Sequence, residues 1–463
     1  MARIKPQTLK GFRDFLPDQM LVRERMMETA RDVFRQHGFA PIDTPALEQT
    51  DVLLGKGGGE TDKQLFRFTD NGGRDVAMRF DLTVPLARYA AQHANALGMP
   101  FKRYALGTVW RAEKPQKGRY REFVQCDFDT IGADSTLADA ETLVTIFSLF
   151  RALGVPEITV RVNSRGILNG FLEAQGLLER QTDVLRAIDK LPKIGSQATH
   201  ELLLASELTE DQAAAVLAFC GVSQTSGEAS TGEASTSENA GGIAEQLEAA
   251  RTAVGGHEAG RDAIDRLQAT CEAAIAAGVE ASRLQIDLSI ARGLDYYTGI
   301  IYETFLDALP GIGSVCSGGR YDNLADLFSS QPLPGVGASL GLDRLLAALE
   351  ELGQLDSLPA TPAEVLVAVL DPGGEAAALG AAAAIRAASF AVEVYPAVRA
   401  PKHVFKYADR KGFRAVVLAG SNELEANTWQ VKTLTDGVQT EVAAGQVALE
   451  IAQRLEPGPA VAS

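Results

Sequence analysis

The chain has 463 residues, of which 46% are apolar and 22% are charged. This composition is typical of a globular protein and excludes disorder, collagen and coiled coil as descriptions of the whole chain. The length is too great for one hydrophobic core, so more than one domain is expected. An excess of acidic over basic residues gives a net charge of −16. Because that charge repels polyanions at long range, any nucleic-acid contact must come from a local basic patch.

The sequence lacks the usual signals for export, membrane insertion and metal binding. It has no apolar run of roughly 18 residues, and its start, MARIKPQTLKGF, has no apolar stretch of the signal-peptide kind. We therefore expect a cytoplasmic protein without a membrane segment. The four cysteines form no CxxC pair and the five histidines no HxxxH spacing. Neither a disulfide framework nor a structural zinc site is expected.

Residues 19–306 predict one helix and a mostly antiparallel sheet within an α+β fold. Apolar residues at helical spacing predict a helix over 19–37, with Asp18 as its cap and Gly38 at its end. The next segment, FAPIDTPALEQ, contains two prolines, which predicts an edge strand and a natural dimer surface. Apolar or alternating runs predict strands at 76–83, 102–113, 120–129, 284–290 and 299–306. Several of these runs have no helix between them, as in antiparallel sheets.

Composition also predicts domain boundaries. Residues 165–280 show an alanine- and leucine-rich helical pattern interrupted by a tandem GEAST repeat, which predicts a helical insertion with a disordered loop at about 222–242. After a proline-punctuated stretch, strands alternate with helices, which predicts a small α/β domain over 361–463. The segments 1–164 and 281–352 would then be the two parts of one core.

The stretch WRAEKPQKGRYREFVQCDFD carries the richest chemistry. It predicts two strands around a basic loop, with Arg111 and Glu113 on one face of the first and Phe123, Gln125 and Asp129 on one face of the second. A guanidinium suits a phosphate group, and an aromatic plate suits a purine base. The alternative is an exposed hairpin whose charges are simply solvated.

Further segments combine polar residues with glycine. Asp81 and Thr83 share a face of a predicted strand, where a carboxylate beside a hydroxyl could hold an ammonium group, unless Asp81 only forms a turn. The segments ARGLDYYTG, SGGRYDNL and GVGASLGLDRLL place Arg292, Tyr321 and Arg344 near glycines, which allow sharp turns or close approach to a ligand. Turn formation and core packing are the alternatives there. None of the three is a dinucleotide fingerprint or a Walker loop.

The predicted C-terminal domain carries a basic segment. Between positions 399 and 414 six basic residues accompany a single acid, Asp409. On a helix much of this charge would face one way. RNA contact and a solvated helix face both remain open.

These motifs, in this order, resemble the histidyl-tRNA synthetases, which are class II aminoacyl-tRNA synthetases. TLKGFRDFLP resembles the N-terminal signature of the family, and the following helix with its proline-bearing strand resembles class II motif 1, the dimer element. The segment from Arg111 to Asp129 resembles motif 2, and GASLGLDRLL resembles motif 3. ARGLDYYTG and SGGRYDNL resemble two signatures peculiar to the histidine enzymes and their close relatives. Two departures are Ser317, where many relatives have alanine, and APKHVFKYADRKG, which matches only part of the anticodon-domain helix.

The resemblance implies an activity. Histidine would react with ATP to give histidyl-adenylate and pyrophosphate, and histidine would then be transferred to the 3′ end of tRNA(His) by a homodimer. The implied catalytic residues are Arg292 and Arg111, and the implied ATP-binding residues are Arg111, Glu113, Arg119, Phe123 and Arg344. The implied histidine-binding residues are Asp81, Thr83, Gln125, Asp129, Tyr297 and Tyr321. Magnesium would lie on the β- and γ-phosphates without identified protein ligands, and tRNA would contact Lys402, Lys406, Arg410 and Lys411.

Two alternatives belong to other functional classes. One is the non-catalytic, synthetase-like regulatory subunit of ATP phosphoribosyltransferase, which characteristically lacks the C-terminal domain and the catalytic arginines. Here Arg111, Arg292, Gln125 and the C-terminal domain are all present. The other alternative is an inactive synthetase-derived scaffold for RNA or signalling.

Overall fold

The computed structural model describes residues 4–55, 62–221, 243–290, 296–355 and 360–455. The chain divides into two compact units, Met1–Arg13 with Met26–Leu352 and Asp14–Arg25 with Gly353–Ser463. Arg292 and the segment 222–242, for which a loop is predicted, lie outside the described residues. Within the described ranges, every helix is too short or too polar to cross a bilayer.

The first unit is built on a mixed but mainly antiparallel sheet. Its described strands are β1 (Ala40–Pro41), β2 (Leu47–Gln49), β3 (Arg67–Thr69), β4 (Asp75–Met78), β5 (Phe101–Trp110), β6 (Glu122–Ile131), β7 (Ile158–Ser164), β8 (Leu284–Ile286), β9 (Ile300–Leu306), β10 (Cys316–Tyr321) and β11 (Gly335–Gly341). The large sheet has the order β1-β5-β6-β11-β10-β9-β7-β8, and β2-β4-β3 form a small separate sheet. Only the outermost pairs of the large sheet, β1 with β5 and β7 with β8, are parallel. The predicted antiparallel character of the sheet is confirmed.

Helices accompany this sheet along the chain. The described helices up to residue 351 are α1 (Pro17–Gln36), α2 (Thr50–Leu54), α3 (Thr83–Leu97), α4 (Thr136–Ala152), α5 (Arg165–Ala174), α6 (Gln181–Ala205), α7 (Glu210–Phe219), α8 (Ile243–Val254), α9 (Glu258–Ala276) and α10 (Leu342–Glu351). The segment with the predicted helical pattern thus contributes α5 to α9, which are amphipathic and bury one face each.

Alternation along β6 gives the large sheet two different faces. Cys126 and Phe128 are fully buried on one face, where the Phe128 ring lies 5.0 Å from the ring of Phe34 on α1. Gln125, Asp127 and Asp129 point to the opposite face, because successive side chains of a strand alternate. One face is therefore the hydrophobic core, and the other presents buried polar groups.

Several local predictions of where an element begins or ends need correction. Helix α1 begins at Pro17, so Asp18 lies in its first turn rather than capping it. The strand predicted over 76–83 ends at Met78, and α3 begins at Thr83. The carboxylate of Asp81 accepts a hydrogen bond from the backbone N–H of Val84 at 3.0 Å, which favours the start of a helix over continued strand. Likewise, β8 ends at Ile286, because Asp287 accepts from the backbone N–H of Ser289 in a turn.

The second unit contains a five-stranded sheet. Its described elements are β12 (Val365–Val369), α11 (Glu375–Ala387), β13 (Val392–Val394), α12 (Pro401–Lys411), β14 (Ala415–Ala419), α13 (Ser421–Glu425), β15 (Thr428–Thr433), β16 (Gln439–Ala443) and α14 (Val447–Arg454). The strand order is β13-β12-β14-β15-β16, with β12 parallel to both its neighbours and β15 antiparallel to both of its own. The predicted alternation of strands with helices is present from β12 to β14, whereas β15 and β16 follow each other directly as an antiparallel pair.

Candidate active site

A large cavity opens on the polar face of the main sheet and gathers most of the predicted site residues. Its volume is about 1630 Å³. The predicted residues that line it are Asp81, Thr83, Arg111, Glu113, Arg119, Phe123, Gln125, Asp129, Tyr297, Tyr321 and Arg344. Arg292 lies outside the described residues, and the predicted tRNA-contacting bases belong to α12 of the second unit. Segments far apart in sequence therefore meet in one cleft, as enzyme and ligand sites do.

Glycines on β11 make room for two of these side chains. A Cβ atom at Gly337 would lie 2.2 Å from Oδ1 of Asp129, and one at Gly335 would lie 2.3 Å from the ring of Tyr321. No side chain fits at either position without moving its neighbour, because such contacts are far inside van der Waals distance. The glycine spacing of GVGASLG thus has a packing role that serves the cavity.

One end of the cavity carries guanidinium groups and an aromatic ring. The Nε–H of Arg111 donates to the carbonyl oxygen of Phe80 at 3.0 Å, and its guanidinium lies 5.3 Å from the centre of the Phe123 ring. Arg119 lies 3.9 Å from the carboxylate of Glu113. The predicted first strand ends at Trp110, so Arg111 and Glu113 lie in the hairpin loop, yet both still line the cavity.

Arg344 adds a third positive charge at this end. It lies in the first turn of α10 and donates a hydrogen bond to the carbonyl oxygen of Ser314. Burial lowers the pKa of Arg344 to about 10, with further lowering by the charges of Arg119 and Arg111. Three guanidinium groups that repel one another in a partly buried site favour an anionic ligand such as a phosphate chain.

The other end of the cavity is acidic. Asp129 is only 3% exposed. Its carboxylate forms an ion pair with Nη2 of Arg103 at 2.7 Å and accepts a hydrogen bond from the hydroxyl of Tyr321. Burial raises the pKa of Asp129, and the charge of Arg103 opposes that shift. The result is a carboxylate held in a fixed position by two neighbours.

Asp81 and Gln125 complete this acidic end. The carboxylate of Asp81, 1% exposed, accepts from the Tyr296 hydroxyl at 3.3 Å, and burial raises the pKa of Asp81. The side-chain amide of Gln125 donates to the hydroxyl of Ser339 at 2.7 Å. Its carbonyl oxygen has no hydrogen-bond partner among the described residues. Buried acceptors of this kind suit a ligand that brings its own N–H donors.

The two ends define the kind of ligand that fits. Phe123 and Asp129 lie on one face of β6, six residues apart, which corresponds to roughly 20 Å of extended strand. A ligand assembly that is anionic with an aromatic base at one end, and rich in N–H groups at the other, matches this length and polarity. A nucleoside triphosphate placed beside a basic amino acid has these properties.

Several residues of the cavity were not predicted. The alternation that selects Gln125 and Asp129 also selects Asp127, so the signal for this residue was present in the sequence. Arg103, which supports the cavity from behind its lining as the ion-pair partner of Asp129, carries no such signal, because this pairing follows from the register of β5 with β6. Helix α6 also contributes a basic wall to the cavity. Its lining bases are Arg186, Lys190 and Lys193.

Comparisons with known proteins agree with this geometry. A family model described as histidyl-tRNA synthetase matches residues 11–345, and one described as an anticodon binding domain matches residues 364–454. The chain belongs to the histidyl-tRNA synthetase family. The histidine–tRNA ligase of Rhodopirellula baltica is 54% identical over 95% of this chain and 96% of its own, and that of Wolinella succinogenes is 45% identical over 97% and 98%. The histidyl-tRNA synthetase structure from Nostoc sp. PCC 7120 matches with a TM-score of 0.83 at 33% identity, covering 98% of this chain and 100% of the other.

Membership of this family decides between the alternatives drawn from the sequence. The matches cover both the catalytic region and the anticodon-binding region of the chain. The hypothesis of a regulatory subunit of ATP phosphoribosyltransferase is therefore not favoured. The chain is an enzyme with the synthetase catalytic domain.

Proposed function

We propose that this chain is a histidine–tRNA ligase, which activates histidine with ATP and transfers it to the 3′ end of tRNA(His). The observation that carries the proposal is the single cavity that joins a cluster of arginines to a buried acidic pocket. Family membership supports the reaction class, and the polarity of the cavity supports the proposed placement of the two small substrates within it.

The ATP end of the cavity is assigned to the arginine cluster. Arg111 grips the α-phosphate, Arg119 the distal phosphates, and Glu113 the amino edge of adenine. Phe123 and Arg344 enclose the adenine ring between an aromatic face and a planar cation. Support comes from the position of all five side chains on the same cavity lining.

The histidine end is assigned to the acidic pocket. Asp81, Thr83 and Gln125 hold the ammonium group, with the open carbonyl oxygen of Gln125 as one acceptor. Asp129 and Tyr297 hold the imidazole, and Tyr321 positions Asp129 through its hydroxyl. Buried acceptors reject amino acids whose side chains lack donors, because the acceptors would then remain unpaired.

Catalysis in this arrangement consists of alignment and charge stabilisation. The histidine carboxylate attacks the α-phosphorus, the bond to the β-phosphate breaks, and pyrophosphate leaves with the negative charge that develops. Arg111 and Arg292 neutralise charge on the α-phosphate, and no general base is needed because the carboxylate is already ionised. In the second step the terminal ribose hydroxyl of tRNA attacks the carbonyl carbon of the adenylate, and AMP leaves.

Magnesium belongs to the proposal as a partner of the phosphates. The described residues contain no group of three or more histidine, cysteine, aspartate or glutamate side chains placed to hold a metal ion. Glu303 lines the cavity together with the arginines. One or two carboxylates together with phosphate oxygens form a donor set that suits magnesium, so Glu303 would be the protein carboxylate that holds the ion. When bound, it would neutralise charge on the β- and γ-phosphates.

The experiment that tests the proposed activity is ATP–pyrophosphate exchange with each of the twenty amino acids. Exchange should depend on histidine and should fall by about 10²-fold or more in Arg292→Ala, because one preorganised charge contact is lost. Arg151→Ala, which removes an exposed arginine at the end of α4, is the matched control and should keep wild-type exchange. Exchange with another amino acid, or none with histidine, would refute the activity. An unchanged rate in Arg292→Ala would refute only the role of Arg292.

Three of the four proposed tRNA contacts lie on one face of α12. Lys402, Lys406 and Arg410 are exposed at successive intervals of four residues, whereas Lys411 is half-buried with its ammonium 5.2 Å from the centre of the Tyr407 ring. Residues four apart on a helix project from the same side, so the three exposed bases form one positive stripe. Such a stripe suits the phosphates of an RNA strand.

Charge reversal tests this stripe. Lys406→Glu and Arg410→Glu should each weaken tRNA binding and make its salt dependence less steep, while histidine-dependent exchange stays intact. Arg386→Glu on α11 changes the net charge equally at an exposed arginine away from the stripe and should have a smaller effect. Equal tRNA affinity in all three variants would leave α12 as a solvated helix face.

A homodimer that works in the cytoplasm completes the proposal. Strand β1 pairs with β5 and has no strand partner on its other side among the described residues. Its residues Ala40 and Pro41 are exposed, as expected for an edge available to a second copy. Sedimentation equilibrium at micromolar concentration should give twice the chain mass, and a monomer would exclude this part of the proposal.

A further inference from the structure

One buried carboxylate of the cavity, Asp127, has no role in the proposed function. It lies between Gln125 and Asp129 on the same face of β6, lines the cavity and is 1% exposed. Neither of its oxygens forms a well-directed hydrogen bond with the described residues. Ser339, its neighbour on β11, supplies one weak donor. Since an ionised carboxylate accepts about four hydrogen bonds, most of its capacity is open.

The surroundings of Asp127 do not balance its charge. Nη2 of Arg103 lies 3.9 Å from its carboxylate but 2.7 Å from that of Asp129, so the arginine mainly neutralises Asp129. Burial raises the pKa of Asp127 to about 7, and the charge of Asp129 adds to this increase against the opposing effect of Arg103. The titratable groups that face Asp127 are Arg79, Asp81, Arg103, Asp129, Tyr297 and Cys316.

An open, charged and buried acceptor costs stability, and the fold gains nothing visible from it. A hydrophobic or amide side chain at this position of β6 would avoid the desolvation cost of a buried charge. Groups that a fold retains against its own stability are typical of ligand sites. Because Asp127 lines the cavity, a ligand bound there can reach its carboxylate.

We propose that Asp127 is a further histidine-binding residue, which accepts a hydrogen bond from an imidazole N–H and contributes to specificity for histidine. The inference rests on the proposed function, because Asp127 lies between Gln125, assigned to the ammonium, and Asp129, assigned to the imidazole. The ring of a histidine bound along this row lies over Asp127. An amino acid of the same shape without a ring N–H leaves the carboxylate buried and unpaired, which is the kind of penalty that gives polar pockets high selectivity.

The test compares histidine with 4-thiazolylalanine, whose ring has a similar shape but no N–H. Exchange is measured for the wild-type chain, Asp127→Asn and Asp127→Ser. In both variants kcat/KM for histidine should fall by about 10- to 100-fold, as expected for loss of one hydrogen bond to a charged group, with the KM for ATP unchanged. The value for the analogue should change by less than about threefold, so the preference for histidine collapses.

Each other outcome counts against the inference. An equal loss with both amino acids would show that Asp127 acts on the structure of the pocket rather than on the imidazole. An unchanged preference would show that it does not contact the ring. Because the charge of Asp127 is unfavourable in the folded protein, neither variant should lower the melting temperature, and a large decrease in both would make the residue structural. If the wild-type chain itself lacks histidine-dependent exchange, the proposed function fails first.

Discussion

Replacement of Gly337 by alanine tests the assignment of the imidazole pocket without touching a proposed contact residue. The added Cβ would lie 2.2 Å from Oδ1 of Asp129 and 2.4 Å from the carbonyl oxygen of Phe128. Contacts under 3.0 Å are essentially never seen for real Cβ atoms, so about 0.8 Å or more must be opened at this point. Asp129 cannot yield freely, because Arg103 and Tyr321 hold its carboxylate.

The expected effect falls on histidine rather than on ATP. A misplacement of about 1 Å at a reacting or binding group can cost about 10²-fold, and overpacking a core position costs about 1–3 kcal/mol of stability. Gly337→Ala should therefore lower kcat/KM for histidine by about 100-fold in pyrophosphate exchange, with the KM for ATP changed less than about twofold.

The matched control is Gly311→Ala, since a Cβ at Gly311 meets no atom within 4 Å. It should leave both constants and the melting temperature as in the wild-type chain. A histidine kcat/KM within about threefold of wild type in folded Gly337→Ala would refute the placement of the imidazole at Asp129.

Three further predictions follow from other parts of the first unit. Asp139→Asn removes a fully buried partner of two arginines and should lower the free energy of unfolding by about 3–5 kcal/mol in urea, against less than about 1 kcal/mol for the exposed Asp134→Asn. The pKa of Asp127 rises from 3.8 to about 7 on folding, so the folded state binds a proton at this group more tightly than the unfolded state does. The resulting stabilisation of the folded chain is complete below pH 3.8 and is lost as the pH rises to about 7. The melting temperature of Asp127→Asn minus that of wild type should increase between pH 5 and 7 and then stay constant, whereas a flat difference would contradict the shift. Phe123→Ala should raise the KM for ATP by about 5- to 100-fold through loss of base stacking, with the KM for histidine unchanged as the check.

The face of β6 was predictable because it depends on a local rule. Alternation along the strand placed Phe123, Gln125 and Asp129 together, and the pairing of β6 between β5 and β11 preserves that alternation over ten residues. Arg103 was not predictable, because its position opposite Asp129 depends on which residue of β5 pairs with which residue of β6. Register is a tertiary property, and a shift by one residue would turn Arg103 to the other face.

The helical insertion shows a second limit of local patterns. Periodicity indicates that α6 is a helix with an apolar side, but it does not indicate what its polar side faces. Arg186, Lys190 and Lys193 line the cavity because tertiary packing brings α6 to the same cleft as the polar residues of the sheet. A sequence can therefore predict the element and its two faces, while the partner of the polar face is decided by the packing of the whole unit.

Asp81 shows why a structural and a functional interpretation of one residue need not compete. The sequence left open whether this aspartate forms a turn or holds a ligand. The structure has Oδ1 accepting from the backbone N–H of Val84, which starts α3, while Oδ2 accepts from the hydroxyl of Tyr296 beside the cavity. The hydrogen bond at the helix start fixes the rotamer of the side chain, and that fixed rotamer keeps the second oxygen at the cavity wall. The hydrogen bond that forms the turn therefore also positions Asp81 for the proposed ammonium contact. In the same way, a structural hydrogen bond from the hydroxyl of Tyr321 positions Asp129 for the proposed imidazole contact.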